Sequence, residues 1–265
     1  MCVKRSHNGI ILVIGLAAQL AFAADLAPTG TLRATYLGLN PVQGKIDSAT
    51  GKPSGVVPDL VAEMARRLNV PFTLIPAPDA GQVIAHLKDR SADIGFLAFD
   101  AARAAQVDFS DSYELMFNAY IVPAASPIQK SPDADRAGMR IAAVRGQTQE
   151  LFLSSNIKNA TMKVFDTMPA QPELERLLQS GEVQAFGVNR QRAEDAAAAS
   201  GGKLRAIPDN FLIVEQAVVI DKTNAIDKTN SAKLAQINQL LSDMRAAGFV
   251  KAAVTRSGVT GVAAK

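Results

Sequence analysis

The hydrophobic and polar positions in the first half of the chain follow two alternating periods. Apolar stretches at 31–37, 71–77 and 93–98 predict strands. Between them, apolar residues recur every three or four positions at 58–69 and 81–90, which predicts helices with one buried face. Strands that alternate with helices in this way indicate an α/β sheet.

A second alternation of the same kind begins at residue 117. Its predicted strands are 117–123, 139–144, 161–166 and 183–188, and its predicted helices are 147–155, 171–179 and 191–200. A longer apolar segment at 211–221 then predicts a strand, and helices are predicted from there to the C-terminus. The second α/β unit is therefore nested within the first, and a chain of this length can bury two hydrophobic cores.

The N-terminus has the pattern of a secretory signal peptide. A positive start with Lys4 and Arg5 precedes an apolar run and an Ala-Phe-Ala sequence that ends at Ala23. We expect cleavage there, which removes residues 1–23 and leaves a periplasmic protein. The apolar run is shorter than the roughly 20 residues of a membrane-spanning helix, and no later segment approaches that length.

The composition of the mature chain excludes several classes of function. Removal of Lys4 and Arg5 leaves 26 of the 28 basic residues against 25 acidic ones. This balance, with 5% aromatic residues and no tryptophan, argues against a nucleic-acid partner. No cysteine and one histidine, His86, remain after cleavage, so zinc sites and Ser-His or Cys-His pairs lack their residues. Since no glycine-rich phosphate loop is present either, we expect no metal, no cofactor and no catalytic residue.

One arginine stands where a helix N-terminus is predicted. Asp100 is a typical N-cap residue and alanines follow it, so we expect a short helix from Ala101 with Arg103 in its first turn. A cation there opposes the positive end of the helix dipole unless an anion lies between them, which indicates an anion site. The alternative is a solvated surface arginine paired with Asp108.

A second site of this kind is predicted in the sequence VRGQTQE, residues 144–150. Gly146 allows a tight turn after a strand, and Gln147 and Thr148 present amides and a hydroxyl at the start of a helix. One such site in each α/β unit predicts a ligand that is held from both sides of a crevice.

The order of these elements resembles the amino-acid-type solute-binding proteins of bacterial ABC importers over nearly the whole mature chain. The segments that carry the resemblance are KPSGVVPDLVAEMARRLNVPF, SADIGFLAFDAARAAQVDFSDSY, AGMRIAAVRGQTQE and SGEVQAFGV. The resemblance implies the type 2 periplasmic binding protein fold, in which two α/β lobes joined by a two-strand hinge close on a solute. The hinge would lie near 115–119 and 214–217. Lobe one would comprise 24–117 and 214–265, and lobe two 118–213.

The same resemblance assigns ligand-binding residues. Arg103, which precedes a Val-Asp-Phe-Ser sequence, would bind the carboxylate of the solute. Thr148 and the neighbouring Gln147 would complete this carboxylate site from lobe two. Tyr36 would cover the solute, or its ring would belong to the core.

Two departures from the family pattern affect the predicted solute. Where relatives carry hydroxyl-bearing residues before the arginine, residues 97–100 are Leu-Ala-Phe-Asp, so we expect a more apolar site with Ala98 in its lining. The acid that commonly pairs with the α-ammonium of an amino acid is Asn189 here, followed by Arg190. A neutral amide beside a cation is a poor partner for a buried ammonium. We therefore expect a carboxylate without a free α-ammonium, or an amino acid held in a different orientation.

These features predict a monomeric binding protein that delivers a small carboxylate-bearing solute to the membrane permease of an ABC importer. Two alternatives remain open. The scaffold is similar to exported cyclohexadienyl dehydratases, in which Asp100, Glu114 or Glu215 would act as general acid or base. The other alternative is a ligand-sensing accessory protein for a membrane receptor.

Overall fold

The computed structural model describes residues 26–46, 50–222 and 228–265, and the predicted signal peptide lies outside these ranges. Its strands are β1 (Leu32–Leu37), β2 (Lys45–Ile46), β3 (Pro53–Ser54), β4 (Phe72–Ala77), β5 (Ile94–Ala98), β6 (Val107–Pro123), β7 (Arg140–Val144), β8 (Thr161–Phe165), β9 (Ala185–Asn189), β10 (Leu204–Ala206), β11 (Leu212–Asp221) and β12 (Val262–Ala264). Its helices are α1 (Val56–Leu68), α2 (Ala80–Lys88), α3 (Ala101–Ala104), α4 (Thr148–Asn156), α5 (Gln171–Gln179), α6 (Arg190–Ala199), α7 (Lys228–Ala246) and α8 (Phe249–Ser257). Within these ranges, no helix has both the length and the apolar character needed to cross a membrane.

One mixed sheet runs through the molecule in the order β4-β1-β5-β11-β6-β9-β7-β8, and β10 and β12 also pair with β6. At one end β1 pairs in parallel with β4 and β5, and at the other end β7 pairs in parallel with β8 and β9. The antiparallel pair β6 and β11 lies between these two parallel sets. Parallel neighbours require crossover connections, which explains the alternation of strands and helices in the sequence.

The two largest hydrophobic cores of the described residues lie on either side of the β6–β11 pair. The first draws on residues within 26–113 and 218–250, including Phe96 of β5. The second draws on residues within 119–207, including Phe186 of β9. We call the parts of the chain around these cores lobe one and lobe two. The nested order of the two cores agrees with the nested pattern in the sequence, while the lobe boundaries given above stay a prediction.

Most of the elements predicted for lobe one are confirmed. The strands expected at 31–37, 71–77 and 93–98 are β1, β4 and β5. The helix expected at 58–69 is α1, which begins two residues earlier, at Val56, and packs its apolar face into the first core. Local patterns were sufficient here because α1 has one apolar face, while β1 and β5 are short apolar runs that are buried almost throughout.

β6 is much longer than the predicted strand at 117–123, since it begins at Val107. Its first part contains charged and polar residues, which made that part look unlike a strand. It is extended because β11 pairs with it from Val107 to Asn118, and β9 pairs with it from Asn118 to Ile121. Pairing with strands distant in sequence therefore overrides the local pattern.

The chain ends in a strand where helices were expected. β12 pairs in antiparallel fashion with Glu114–Met116 of β6, next to the point where β6 and β11 pass between the lobes. Residue Thr260, just before β12, donates its backbone N–H to Oε1 of Gln191 in lobe two at 2.6 Å. A third strand thus supports the two that connect the lobes.

Candidate functional site

A cavity of about 300 Å³ lies between the lobes. It is lined from lobe one by Leu37, Leu39, Asn40, Pro78 and Asp79, and from lobe two by Val144, Arg145, Gln147, Gln149, Asp166, Thr167, Met168, Gly187, Val188, Asn189 and Arg192. These residues stand at or just after the carboxyl ends of β1, β4, β7, β8 and β9, the edge at which α/β sheets bind their ligands. The volume is that of a small-molecule site.

The short helix expected after Asp100 is present as α3. The Oδ1 atom of Asp100 accepts hydrogen bonds from the backbone N–H groups of Ala102, at 2.8 Å, and Arg103, at 3.2 Å. This cap holds Arg103 just beyond the end of β5, at the junction of the lobes. The side chain is not a solvated surface arginine, since Arg103 is only 6% exposed.

The guanidinium of Arg103 joins the two lobes. Its Nη1 atom donates to the carbonyl oxygen of Ala98 at 3.0 Å and to Oγ1 of Thr148 at 3.3 Å, and its Nη2 atom donates to the carbonyl oxygen of Gly146 at 2.9 Å. Burial lowers the pKa of Arg103, and the charge of Asp100 opposes this shift. The ion pairs found within the described ranges do not include Arg103. A buried cation with neutral partners is thus placed where an anion can be taken up.

Two other predicted residues lie on the cavity wall. Gln147 is the N-cap of α4 and Asn189 is the N-cap of α6. The Oδ1 atom of Asn189 accepts a hydrogen bond from the backbone N–H of Arg192 at 2.9 Å, and its Nδ2 atom donates to Oδ1 of Asn40 in lobe one at 3.4 Å. The structure therefore places Arg103, Ala98 and Thr148 in one contact, with Gln147 and Asn189 on the adjoining cavity wall.

Tyr36 lies in the first core and is not among the residues that line the cavity. Its ring is fully buried in the first core, where its hydroxyl has no hydrogen-bond partner among the described residues. Successive side chains of a strand point to opposite faces, and in β1 it is the next residue, Leu37, that lines the cavity. This position favours the alternative in which the ring of Tyr36 belongs to the core, while a role of Tyr36 in covering the solute stays an untested prediction.

Two cavity arginines were missed by the sequence analysis. Nε of Arg145 forms an ion pair with Oδ1 of Asp166 at 2.8 Å. Nη2 of Arg192 donates across the cleft to the carbonyl oxygen of Leu39 at 3.1 Å, and burial lowers the pKa of Arg192. Arg192 could have been found from the sequence, because it lies three residues after the predicted site residue Asn189. Residues at this spacing share one face of a helix.

The acids considered for a dehydratase lie away from the cavity lining. Glu114 is fully buried in β6, and burial raises its pKa to about 8. Asp100 caps α3, and Glu215 forms an exposed ion pair with Lys265. Among the described residues there is also no group of His, Cys, Asp and Glu side chains suited to a metal ion.

The family follows from comparison with known sequences. Residues 35–256 match the model of the bacterial extracellular solute-binding proteins, family 3. This chain belongs to that family. A search of curated protein sequences found no match.

Solved structures show the fold of this family 3 protein. A mutant of ArgBP from T. maritima has a TM-score of 0.69 at 19% identity, covering 89% of this chain and 99% of its own. A putative ABC transporter binding component from Wolinella succinogenes, complexed with lysine, has a TM-score of 0.69 at 20% identity, covering 86% and 95%. The ancestral amino acid-binding protein AncCDT-1, described as a precursor of cyclohexadienyl dehydratase, has a TM-score of 0.68 at 20% identity, covering 88% and 97%. The predicted type 2 periplasmic binding protein fold is confirmed.

Proposed function

We propose that this family 3 protein is the periplasmic solute-binding component of an ABC importer. It captures a small carboxylate-bearing solute, an amino acid or a related organic acid, between its lobes and presents the closed form to a membrane permease. It acts as a monomer, uses no cofactor and performs no bond chemistry. The extracellular family and the signal-peptide pattern of residues 1–23 support export, and the amino-acid-binding neighbours support a small solute.

The observation that carries this proposal is the buried guanidinium of Arg103 at the junction of the lobes. Its partners in lobe two, the Gly146 carbonyl and the Thr148 hydroxyl, are neutral. A carboxylate that enters when the lobes separate would replace these contacts with charge-assisted, bidentate hydrogen bonds. The backbone amides at the start of α4, after Gln147, can then donate to the same anion from lobe two. Binding between the two lobes therefore favours closure.

The neutral side chain of Asn189 supports a solute without a free α-ammonium at that end. Its Oδ1 atom already accepts the backbone N–H of Arg192, and its Nδ2 atom faces Asn40. An ammonium placed against Asn189 would meet a neutral amide in place of a carboxylate, so its desolvation would not be fully compensated there. The contact of Ala98 with the proposed carboxylate site is made by its carbonyl oxygen, which accepts a hydrogen bond from Arg103.

A thermal-shift screen tests the proposed function. The chain beginning at residue 24 is heated with common amino acids and with matched carboxylic acids that lack the ammonium group. A ligand at a hundredfold its Kd raises the free energy of unfolding by about 2.7 kcal/mol, and we expect one or more carboxylates to do so. If no compound of either set stabilises the chain, the binding-protein proposal is contradicted and the ligand-sensing accessory protein is favoured. If the purified chain turns over prephenate, the proposal is contradicted and the dehydratase is favoured.

A further inference from the structure

We propose that Arg192 forms a second anion-binding subsite in the cavity, and that the solute is therefore a short dicarboxylate with one acidic group at Arg103 and the other at Arg192. This inference rests on the proposed function of the cleft and names its class of solute. It follows from a comparison of the charged side chains in the cavity lining, which shows which of them have a partner of opposite charge or a helix cap and which do not.

Arg192 lines the cavity without an ion-pair partner among the described residues. A guanidinium has five N–H donors, and the hydrogen bond found for this one goes to a neutral acceptor, the carbonyl oxygen of Leu39, at 3.1 Å. Within the described ranges, the ion pairs do not include Arg192. The side chain is partly buried, and Asp195 on the same helix offsets its desolvation only in part, since the pKa of Arg192 is lowered. Planar guanidinium donors of this kind suit a carboxylate.

The other cavity arginine is different, because Arg145 is paired. Its Nε atom lies 2.8 Å from Oδ1 of Asp166, and both of these residues line the cavity. The two charges therefore cancel at the wall formed by the ends of β7 and β8. Arg145 offers a matched comparison for Arg192, since both are cavity arginines of lobe two and only one has an acidic partner.

The remaining cavity acid, Asp79, is engaged in capping. Its Oδ1 atom accepts the backbone N–H of Gln82 at 2.8 Å, and the residue stands at the N-terminus of α2, whose dipole stabilises a negative charge. Asp79 is also exposed, so water and salt screen its charge. Arg192 is consequently the cavity charge that still lacks a counter-ion.

The position of Arg192 at the N-terminus of α6 also favours an anion beside its side chain. It lies in the first turn of α6, where Asn189 caps the helix and accepts the backbone N–H of Arg192 at 2.9 Å. A cation in the first turn opposes the helix dipole, and an anion beside it satisfies both the side chain and the dipole. The side-chain amides of Asn189 and Asn40, both in the cavity lining, add neutral donors next to this position.

The two guanidiniums stand at different places around the cavity. Arg192 is in the cavity lining, whereas Arg103 is outside it and donates to Thr148, whose sequence neighbours Gln147 and Gln149 are in the lining. Arg192 lines the part that follows β9. The wall also carries apolar side chains, namely Leu37, Pro78, Val144, Met168 and Val188. An aliphatic chain with an acid at each end matches two cationic positions and an apolar wall.

Calorimetric titration tests this inference. The chain from residue 24 is titrated with succinate, glutarate and adipate, and with the monocarboxylates of the same carbon number, butyrate, valerate and hexanoate. We expect at least one dicarboxylate to bind ten times or more tighter than its matched monocarboxylate. Arg192→Gln should weaken the dicarboxylate more than the matched monocarboxylate and so abolish this preference, and Arg145→Gln should retain the preference. Circular dichroism melts of both variants establish that they are folded.

The possible contrary results separate this inference from the proposed function. Equal affinity for the two acids of a pair, or a dicarboxylate preference that survives in Arg192→Gln, overturns the second subsite and leaves a carboxylate-binding cleft. Binding of cationic amino acids such as arginine or lysine, with no binding of any acid, overturns the second subsite but leaves a solute-binding protein. No binding of any of these compounds contradicts both.

Discussion

Arg103 of lobe one donates a hydrogen bond to the carbonyl oxygen of Gly146 in lobe two, with a distance of 2.9 Å between the nitrogen and the oxygen. Gly146 has a φ angle of +69°, in the left-handed region that side chains other than glycine rarely adopt. The turn at this glycine presents the carbonyl to the guanidinium just before α4 begins. The contact between the lobes therefore depends on a backbone conformation as well as on a charge.

Loss of this guanidinium should open the protein and weaken binding. In Arg103→Ala, the contacts to Gly146 and Thr148 disappear, so we expect a larger radius of gyration for the unliganded chain in small-angle scattering. A hydrogen bond to a charged group contributes about 1.5–3 kcal/mol, so the affinity for carboxylic acids should fall by at least about tenfold. Calorimetry of the acids that stabilise the wild type measures this loss.

A matched control for this variant is Arg176→Ala. Arg176 lies on α5 of lobe two, where it pairs with Glu173 and Glu182 on an exposed surface. Its removal should change neither the scattering nor the affinity, because exposed pairs contribute little. If Arg103→Ala binds acids as tightly as Arg176→Ala does, Arg103 is not the carboxylate ligand.

Glu114 should make the stability of the protein depend on pH. It is fully buried in β6, and neither carboxylate oxygen has a hydrogen-bond partner among the described residues. Burial raises its pKa from 4.5 to about 8, so the folded protein holds this proton more tightly than the unfolded chain. The stability that the protonated form provides is fully present below pH 4.5 and is lost as the pH rises to about 8. Over that interval the loss is of the order of 5 kcal/mol.

Glu114→Gln tests this linkage, because a glutamine cannot ionise. We expect the difference in free energy of unfolding between variant and wild type to shift in favour of the variant as the pH rises from 4.5 to 8, in urea titrations at several pH values. Glu215→Gln removes an exposed carboxylate from the paired strand β11 and keeps Glu114, so it should retain the wild-type pH dependence. A constant difference between Glu114→Gln and wild type would mean that the pKa of Glu114 is the same in the folded and the unfolded protein, so burial does not raise it.

Tyr36→Phe should stabilise the protein without changing binding. The hydroxyl of Tyr36 is buried in the first core and has no hydrogen-bond partner among the described residues. Such a group costs about 1–3 kcal/mol, so its removal should raise the free energy of unfolding by about 1 kcal/mol or more in urea titrations. Affinity for the carboxylic acids should stay within twofold of wild type. A large loss of affinity would show instead that the phenol reaches the solute.

The elements that the sequence predicted well depend on neighbours a few residues apart. Asp100 as an N-cap, the short helix that follows it and the amphipathic helix α1 all follow from side chains within one or two helical turns. The same local reasoning led to the prediction, which stays a prediction, that Arg103 stands at an anion site. The family resemblance added the prediction that lobe two would complete this site through Thr148, whose hydroxyl oxygen lies 3.3 Å from Nη1 of Arg103.

Other features required partners far away in the sequence. The charged start of β6 is a strand because β11 pairs with it, and β12 is a strand because it reaches the same strand from the C-terminus. The sequence could not decide whether Tyr36 or its neighbour Leu37 faces the cavity. That choice depends on which face of β1 the first core covers.

The sequence by itself determined the alternation of strands and helices, the capped helix that carries Arg103 and the family of the protein, because periodicity, capping and motif order are local or linear properties. Only the tertiary structure decided which groups surround each charged side chain. It brought Arg103 to a carbonyl 43 residues away and Arg192 to one 153 residues away. Whether a charged side chain has a counter-ion depends on the residues that the folded chain places within a few ångströms of it, and no local pattern in the sequence specifies those residues.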